Sequence, residues 1–370
     1  MVFCNRPDFR YAMNPLLEIR RHGQQIWLDN LSRTLINDGH LERLISDGVT
    51  GITTNPAIFN KAISDGRYYE DDLVALRAGP DAAEARYEQL VIADVQRACD
   101  LLRPVHERMN GRGGHVSLEV SPALAHDADG TIAAGQRLAQ AVARPNLLIK
   151  VPATSAGLDA LSGLIAQGIS VNVTLMFSLA HVDAVAQAYS RGLESWLTAG
   201  GDPARIMSVA SLFLSRVDTL VDAQLDALGS ERALALRGRT AVAMARLAYQ
   251  RNRAHFQGEA FADLRTRGAL PQYLLWASTG TKNPAYSDLL YVEPLIGPDT
   301  VNTLPDATFA ALRDHGQVAL TLEDGLEAAQ HQFDALAELG LDLTAIGERL
   351  QRDGLAQFDD AFASLLRRVG

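Results

Sequence analysis

Residues 146–177 read NLLIKVPATSAGLDALSGLIAQGISVNVTLMF. The opening run is apolar except for Lys150 and is closed by Pro152 and a Thr-Ser pair. Residues 155–166 then place Leu158, Leu161, Leu164 and Ile165 at i, i+3, i+6 and i+7, a single apolar stripe of helical period. After Gly168 comes a second apolar run, 169–176, in which every other side chain is polar. A short run, a one-stripe helix and another run make one β-α-β unit, whose strands are parallel and whose helix must bury its stripe against the sheet.

The same grammar extends in both directions. Apolar runs bounded by turn residues occur at 25–30, 51–55, 116–121, 147–152, 169–176, 206–211, 273–278 and 289–294, mostly separated by helical periodicity. Eight such units predict an α/β fold, a closed parallel (β/α)8 TIM barrel. An open doubly wound sheet is the alternative, but no strand is followed by GxGxxG, and the glycines at 111–114 precede a strand. Extra helical material is expected at 56–112 and 217–267. Beyond the eighth run about two more helices follow, with a stripe at Leu322, Leu326, Phe333, Leu336 and Leu339, then Ile346, Leu350, Phe358, Phe362 and Leu365. No Pro/Gly/Ser linker, charge block or repeat divides the chain, so a single domain over 1–370 is expected, with residues 1–12 an extension ahead of an alternative start at Met13.

A net charge of -10 argues against a nucleic-acid partner. Cys4 and Cys99, the two cysteines, have no CxxC spacing, and the nine histidines contain no HxH or HExxH, so neither a disulfide framework nor a metal site is expected. No uncharged apolar stretch nears the roughly 18 residues of a membrane span, and a cytoplasmic protein without membrane contact is the expectation. The Ala-, Leu- and Arg-rich stretch at 217–267 leaves a homo-oligomer open.

Of 34 lysines and arginines, only Lys61, Lys150 and Lys282 are lysine. Where the coding bias has turned surface cations into arginine, a retained lysine is a candidate for chemistry that needs a free amine, which arginine cannot supply. Strand alternation then sorts the neighbours of Lys150. Glu119 in HVSLEVSP, Lys150 in NLLIKVPA, and Asn172 and Thr174 in ISVNVTLMF all fall on the inward face of their strands. A buried Glu119–Lys150 ion pair that merely fills the core is one reading. The other is function, since Asp29, Thr53, Asn55, Ser211 and Ser278 fall at carboxy-terminal strand ends, where barrel active sites assemble. A lysine there can attack a carbonyl carbon and form a Schiff base that draws electrons from an adjacent carbon-carbon bond, with Asp29 and Glu119 dividing the proton transfers.

The motifs GITTNP (51–56), VSLEVSP (116–122), LLIKVPAT (147–154), VNVTLMFS (171–178) and SVASLFLSR (208–216) resemble the transaldolase family. MNPLLEIRRHGQQIWLDN (13–30), WASTGTKNPAYSD (276–288) and YVEPLIGPDTVNTLP (291–305) resemble its longer bacterial subgroup. The resemblance implies a cofactor-independent transferase of the pentose phosphate pathway. It moves a dihydroxyacetone unit from a ketose phosphate, sedoheptulose 7-phosphate or fructose 6-phosphate, to an aldose phosphate. It makes Lys150 the Schiff-base lysine, Asp29 the acid/base on the carbon-carbon bond, Glu119 the carboxylate acting through a water, and Thr174 the residue that positions that water. Asn55 and Asn172 would hold the dihydroxyacetone part, and Ser211 and Arg216 the phosphate. Where other members place an arginine after the seventh strand this chain has Ser278-Thr-Gly-Thr-Lys282, making Lys282 the candidate there. Phe213 goes with transfer, where aldolases that release dihydroxyacetone carry Tyr. A lyase on the same scaffold and a sugar-phosphate-binding barrel without turnover are the competing readings.

Overall fold

The computed structural model describes residues 14–370; the proposed extension, Met13 and Cys4 lie outside them. Eight parallel strands close into a barrel in sequence order: β1 Gln24–Leu28, β2 Gly51–Ile52, β3 His115–Glu119, β4 Leu147–Pro152, β5 Val171–Met176, β6 Ser208–Phe213, β7 Tyr273–Ala277 and β8 Thr300–Leu304. The ring is completed by β8 pairing along the whole of β1, from Gln24 opposite Thr300 to Leu28 opposite Leu304. Seven of the eight expected runs overlap a strand, and the stripe at 155–166 forms the helix Ser155–Ile165, which buries Leu161, Leu164 and Ile165. The turn between β4 and that helix is fixed by its sequence. Thr154 caps the helix by accepting the Gly157 N–H at 2.9 Å, and a Cβ at Gly157 would run into the Pro152 carbonyl.

The eighth run is a correction. Residues 289–294 are a turn leading into the short 3-10 helix Glu293–Leu295, and β8 lies at Thr300–Leu304. Pro294 removes a ladder donor. The buried Leu289, Tyr291, Val292, Leu295 and Ile296 instead stand where a crossover helix would, since no α-helix joins β7 to β8. Their backbone anchors the strands: Leu295 O accepts from the side chains of Trp276 (3.2 Å) and Gln24 (2.6 Å), and Tyr291 O from Asn302 (2.9 Å).

The extra helices fall where expected. Pro56–Ser64, Glu70–Arg77 and Ala83–Arg108 lie between β2 and β3; Ser215–Leu228, Glu231–Leu234, Thr240–Gln257 and Ala262–Thr266 lie between β6 and β7. Beyond β8 come Asp306–His315, Leu326–Glu338 and Leu343–Val369. The last crosses the carboxy-terminal mouth of the barrel. Its Gln351 amide donates to Ala153 O at 2.9 Å and Leu175 O at 3.1 Å, so it is tied to the ends of β4 and β5. No helix among the described residues is long and apolar enough to cross a membrane.

Candidate active site

The inward parity of β3, β4 and β5 is observed as register: Glu119 is opposite Lys150, and Lys150 opposite Asn172. Lys150 is 4% exposed. Its Nζ donates to Thr54 O at 2.9 Å and lies 3.4 Å from Glu119 Oε2. Above it is a cavity of about 110 Å³ at the carboxy-terminal end of the strands. Asp29, Thr53 and Asn55 line it from β1 and β2, Lys150 and Thr174 from β4 and β5, and Ser211, Phe213, Arg216 and Ser278 from β6, β7 and the residues just after them.

Three sequence-predicted residues stand elsewhere. Glu119 lies behind Lys150. Asn172 is buried under Ser211, accepting its hydroxyl at 2.7 Å and donating to Ser117 Oγ at 2.9 Å. Lys282 is exposed on the β7–β8 connection, outside the lining, with its Nζ about 4.0 Å from where a Cβ on Gly280 would sit. Asn55 has a double use: its Oδ1 caps the helix Pro56–Ser64 by accepting the Ile58 N–H at 2.9 Å, which leaves its amide N–H2 to the cavity.

Four lining residues escaped the sequence reading: Leu275 and Ala277, apolar positions of β7, and Thr303 and Phe358. Thr303 is hidden by the expectation of a strand at 289–294; the signal available is the β-branched Thr300, Val301 and Thr303 between Pro298 and Pro305. Phe358, on the terminal helix, carried only the signal of a helical stripe; its ring centre is 5.8 Å from Lys150 Nζ.

The charges in this site are unequal. Burial pushes the Glu119 carboxyl up to about 7, Lys150 pulls it partly back, and Asp29 raises it further. Burial also raises Asp29 above the ordinary carboxylate range, opposed by the Thr53 hydrogen bond and Lys150 and reinforced by Asp306. Arg216 is lowered by burial, and its Nη1 has no hydrogen-bond partner among the described residues. It stacks 5.5 Å from the Phe213 ring, and the terminal helix passes close by at Gly354, where a Cβ would be in ordinary contact with Nη1 at 3.5 Å. A buried guanidinium without a counter-charge is costly, and an anion in the cavity would offset that cost. Thr174 Oγ1, also buried, likewise has no partner among the described residues. The arrangement thus offers a buried amine, two carboxyls that hold protons unusually well, and an anion-seeking arginine across a small cavity.

Fold and site together define an α/β-barrel enzyme. The family described as Transaldolase/Fructose-6-phosphate aldolase matches residues 26–369, and the chain belongs to that family. It is 54% identical over 359 residues to a transaldolase of Thiobacillus denitrificans, covering 97% of this chain and 100% of the relative. It is 48% identical over 354 residues to a transaldolase of Neisseria gonorrhoeae (96% and 99% covered) and 44% identical over 371 residues to transaldolase 2 of Nostoc (97% of each). The kinship is to the longer form of the family and makes the chain an enzyme of the transferase class.

Proposed function

We propose that this enzyme carries a dihydroxyacetone unit from a ketose phosphate to an aldose phosphate in the pentose phosphate pathway, through a Schiff base on Lys150 and without a cofactor. The observation that carries the reading is the setting of the Lys150 amine: buried at the cavity floor, 3.4 Å from a carboxyl whose proton affinity reaches neutrality. The amine attacks the ketose carbonyl, and the oxygen leaves as water with protons relayed through Glu119 and a water held by Thr174. Asp29 takes the proton of the hydroxyl beyond the scissile bond. The carbon-carbon bond then breaks toward the protonated imine, releasing an aldose phosphate and leaving a three-carbon enamine on the lysine. Attack of the enamine on a second aldose phosphate reverses these steps, Asp29 returns its proton to the new hydroxyl, and water frees Lys150. Arg216, with Ser211 and Ser278, receives the phosphate; Asn55 holds the three-carbon end, and Asn172, bonded to Ser211 and Ser117, supports the cavity from below.

The test is to trap the imine. With fructose 6-phosphate and borohydride, the peptide containing Lys150 gains a reduced three-carbon remnant, read by mass spectrometry. Lys150→Arg keeps the charge but not the nucleophile, so it is folded, gains no remnant, and loses on the order of 10⁴-fold or more in turnover. A remnant on Lys61 or Lys282 alone, or turnover by Lys150→Arg, would refute the mechanism.

A further inference from the structure

Asp29, Thr53 and Thr303 stand at the ends of β1, β2 and β8, three adjacent strands. Thr53 Oγ1 donates to Asp29 Oδ1 at 2.8 Å and is 2.6 Å from Thr303 Oγ1, which lines the cavity. A hydroxyl has one proton to give. With Thr53's proton on the ionised Asp29, Thr303 must be the donor in the second contact, so the two hydroxyls form a chain of fixed direction ending on the carboxylate. Thr303 is held in turn, because its carbonyl accepts the Thr279 hydroxyl at 2.7 Å. We propose that Thr303 is a positioning residue: it keeps the Thr53 proton pointed at Asp29 Oδ1 and thereby aims the other carboxylate oxygen, Oδ2, at the substrate hydroxyl. When Asp29 takes the substrate's proton on Oδ2, Oδ1 remains an acceptor and the chain keeps its direction, Thr303 donating to Thr53 and Thr53 to Oδ1.

This inference rests on Asp29 being the acid/base of bond cleavage. The groups facing Asp29 are Lys150 from β4, Glu119 from β3, and Asp306, which opens the helix Asp306–His315 and is held by Asn30 at 2.9 Å. Only the first favours the ionised form. Removing Thr303's donation makes Thr53 a weaker donor, so Asp29 keeps its proton to higher pH.

The experiment compares the pH dependence of transfer from fructose 6-phosphate to an aldose phosphate acceptor in the wild type, Thr303→Val, Thr303→Ser and Asp29→Asn. Thr303 acts on the profile through Asp29, and Glu119 responds only through its charge coupling to Asp29, so a difference between the profiles originates at Asp29. In Thr303→Val the part of the acid limb that belongs to Asp29 moves up by about 0.4 of a pH unit. There kcat falls about threefold, KM is unchanged, and Thr303→Ser restores the wild-type profile. Thr303→Ala, which needs no room for a branched methyl, carries the same expectation as the valine variant. A limb in both variants that superimposes on the wild type after scaling overturns the proposal, since a merely structural loss lowers the rate equally at every pH. Full activity in Asp29→Asn would instead remove the role of Asp29 and the proposal with it.

Discussion

Lys150 and Glu119 face each other across β4 and β3 with 3.4 Å between Nζ and Oε2, yet Glu119 still holds its proton to about pH 7. Desolvation of the carboxylate outweighs the attraction of the ammonium, as is usual for a buried pair. The pair is therefore a poor device for stability and a good one for moving protons near neutrality, since a carboxyl of this affinity exchanges protons readily at working pH.

One consequence is a pH dependence of stability with a definite sign. Because the folded state raises the Glu119 pKa to about 7 from the usual carboxyl value of about 4.5, the fold binds a proton that the unfolded chain has already released between those values. The stability this contributes is complete below about pH 4.5 and is lost as pH rises through about 7, with a limiting slope of about 1.4 kcal/mol per pH unit. Denaturant unfolding from pH 5 to 7.5 should show this downward component in the wild type and not in Glu119→Gln. The same variant should lose the corresponding acid limb near pH 7 in imine formation, with a rate about 10² to 10⁴ lower. A wild-type stability profile with the same slope as the variant's would contradict the raised affinity.

Arg216 leads to a second expectation, in which binding and stability move in opposite directions. Its Nη1 is buried and unpaired among the described residues, so the folded protein bears a desolvation cost that only an anion relieves. Arg216→Met replaces it with an apolar chain of similar reach. Its melting temperature should stay level or rise, while KM for fructose 6-phosphate rises by about tenfold to a hundredfold, the worth of a charge-assisted contact. Inorganic phosphate should raise the melting temperature of the wild type alone. If the variant were destabilised and phosphate protected both proteins equally, Arg216 would be serving the fold and not the ligand.

The sequence displayed the chemistry better than the architecture around it. Glu119, Lys150, Asn172 and Thr174 were legible because a strand's period of two assigns each side chain to a face, and a polar residue on an inward face has few explanations. β8 was not legible at 289–294, since the apolar stretch 289–292 looks alike whether it pairs as a strand or packs as a loop over β7 and β8. That misplacement hid Thr303, whose role depends on a register visible only once the barrel closes. Lys282 illustrates the converse: a rare lysine after the seventh strand, it is exposed and outside the cavity lining, a placement that composition does not encode. Phe358 was out of reach for a different reason, because a helical stripe tells which face is buried but not against what.

Phe358 is also where the terminal helix becomes testable. It is 6% exposed, lines the cavity, and sits over Lys150 within the range in which an aromatic face attracts an ammonium. Two residues of the helix hold it in place without touching the cavity: Gln351 on the carbonyls of Ala153 and Leu175, and Glu348 on His181 at 3.0 Å. Truncating Phe358 to Ala should cost about 3 to 5 kcal/mol of stability as a buried aromatic, and Gln351→Ala about 1 kcal/mol as a lost pair of hydrogen bonds. Their effects on catalysis should separate. Phe358→Ala opens the space above the amine to water, so the yield of trapped imine at fixed substrate falls and turnover falls with it. Gln351→Ala keeps the aromatic cover and retains turnover at temperatures well below its melting point. Equal loss of turnover in both variants at matched stability would mean that the helix acts by holding the barrel together and that the ring over Lys150 has no part in the chemistry.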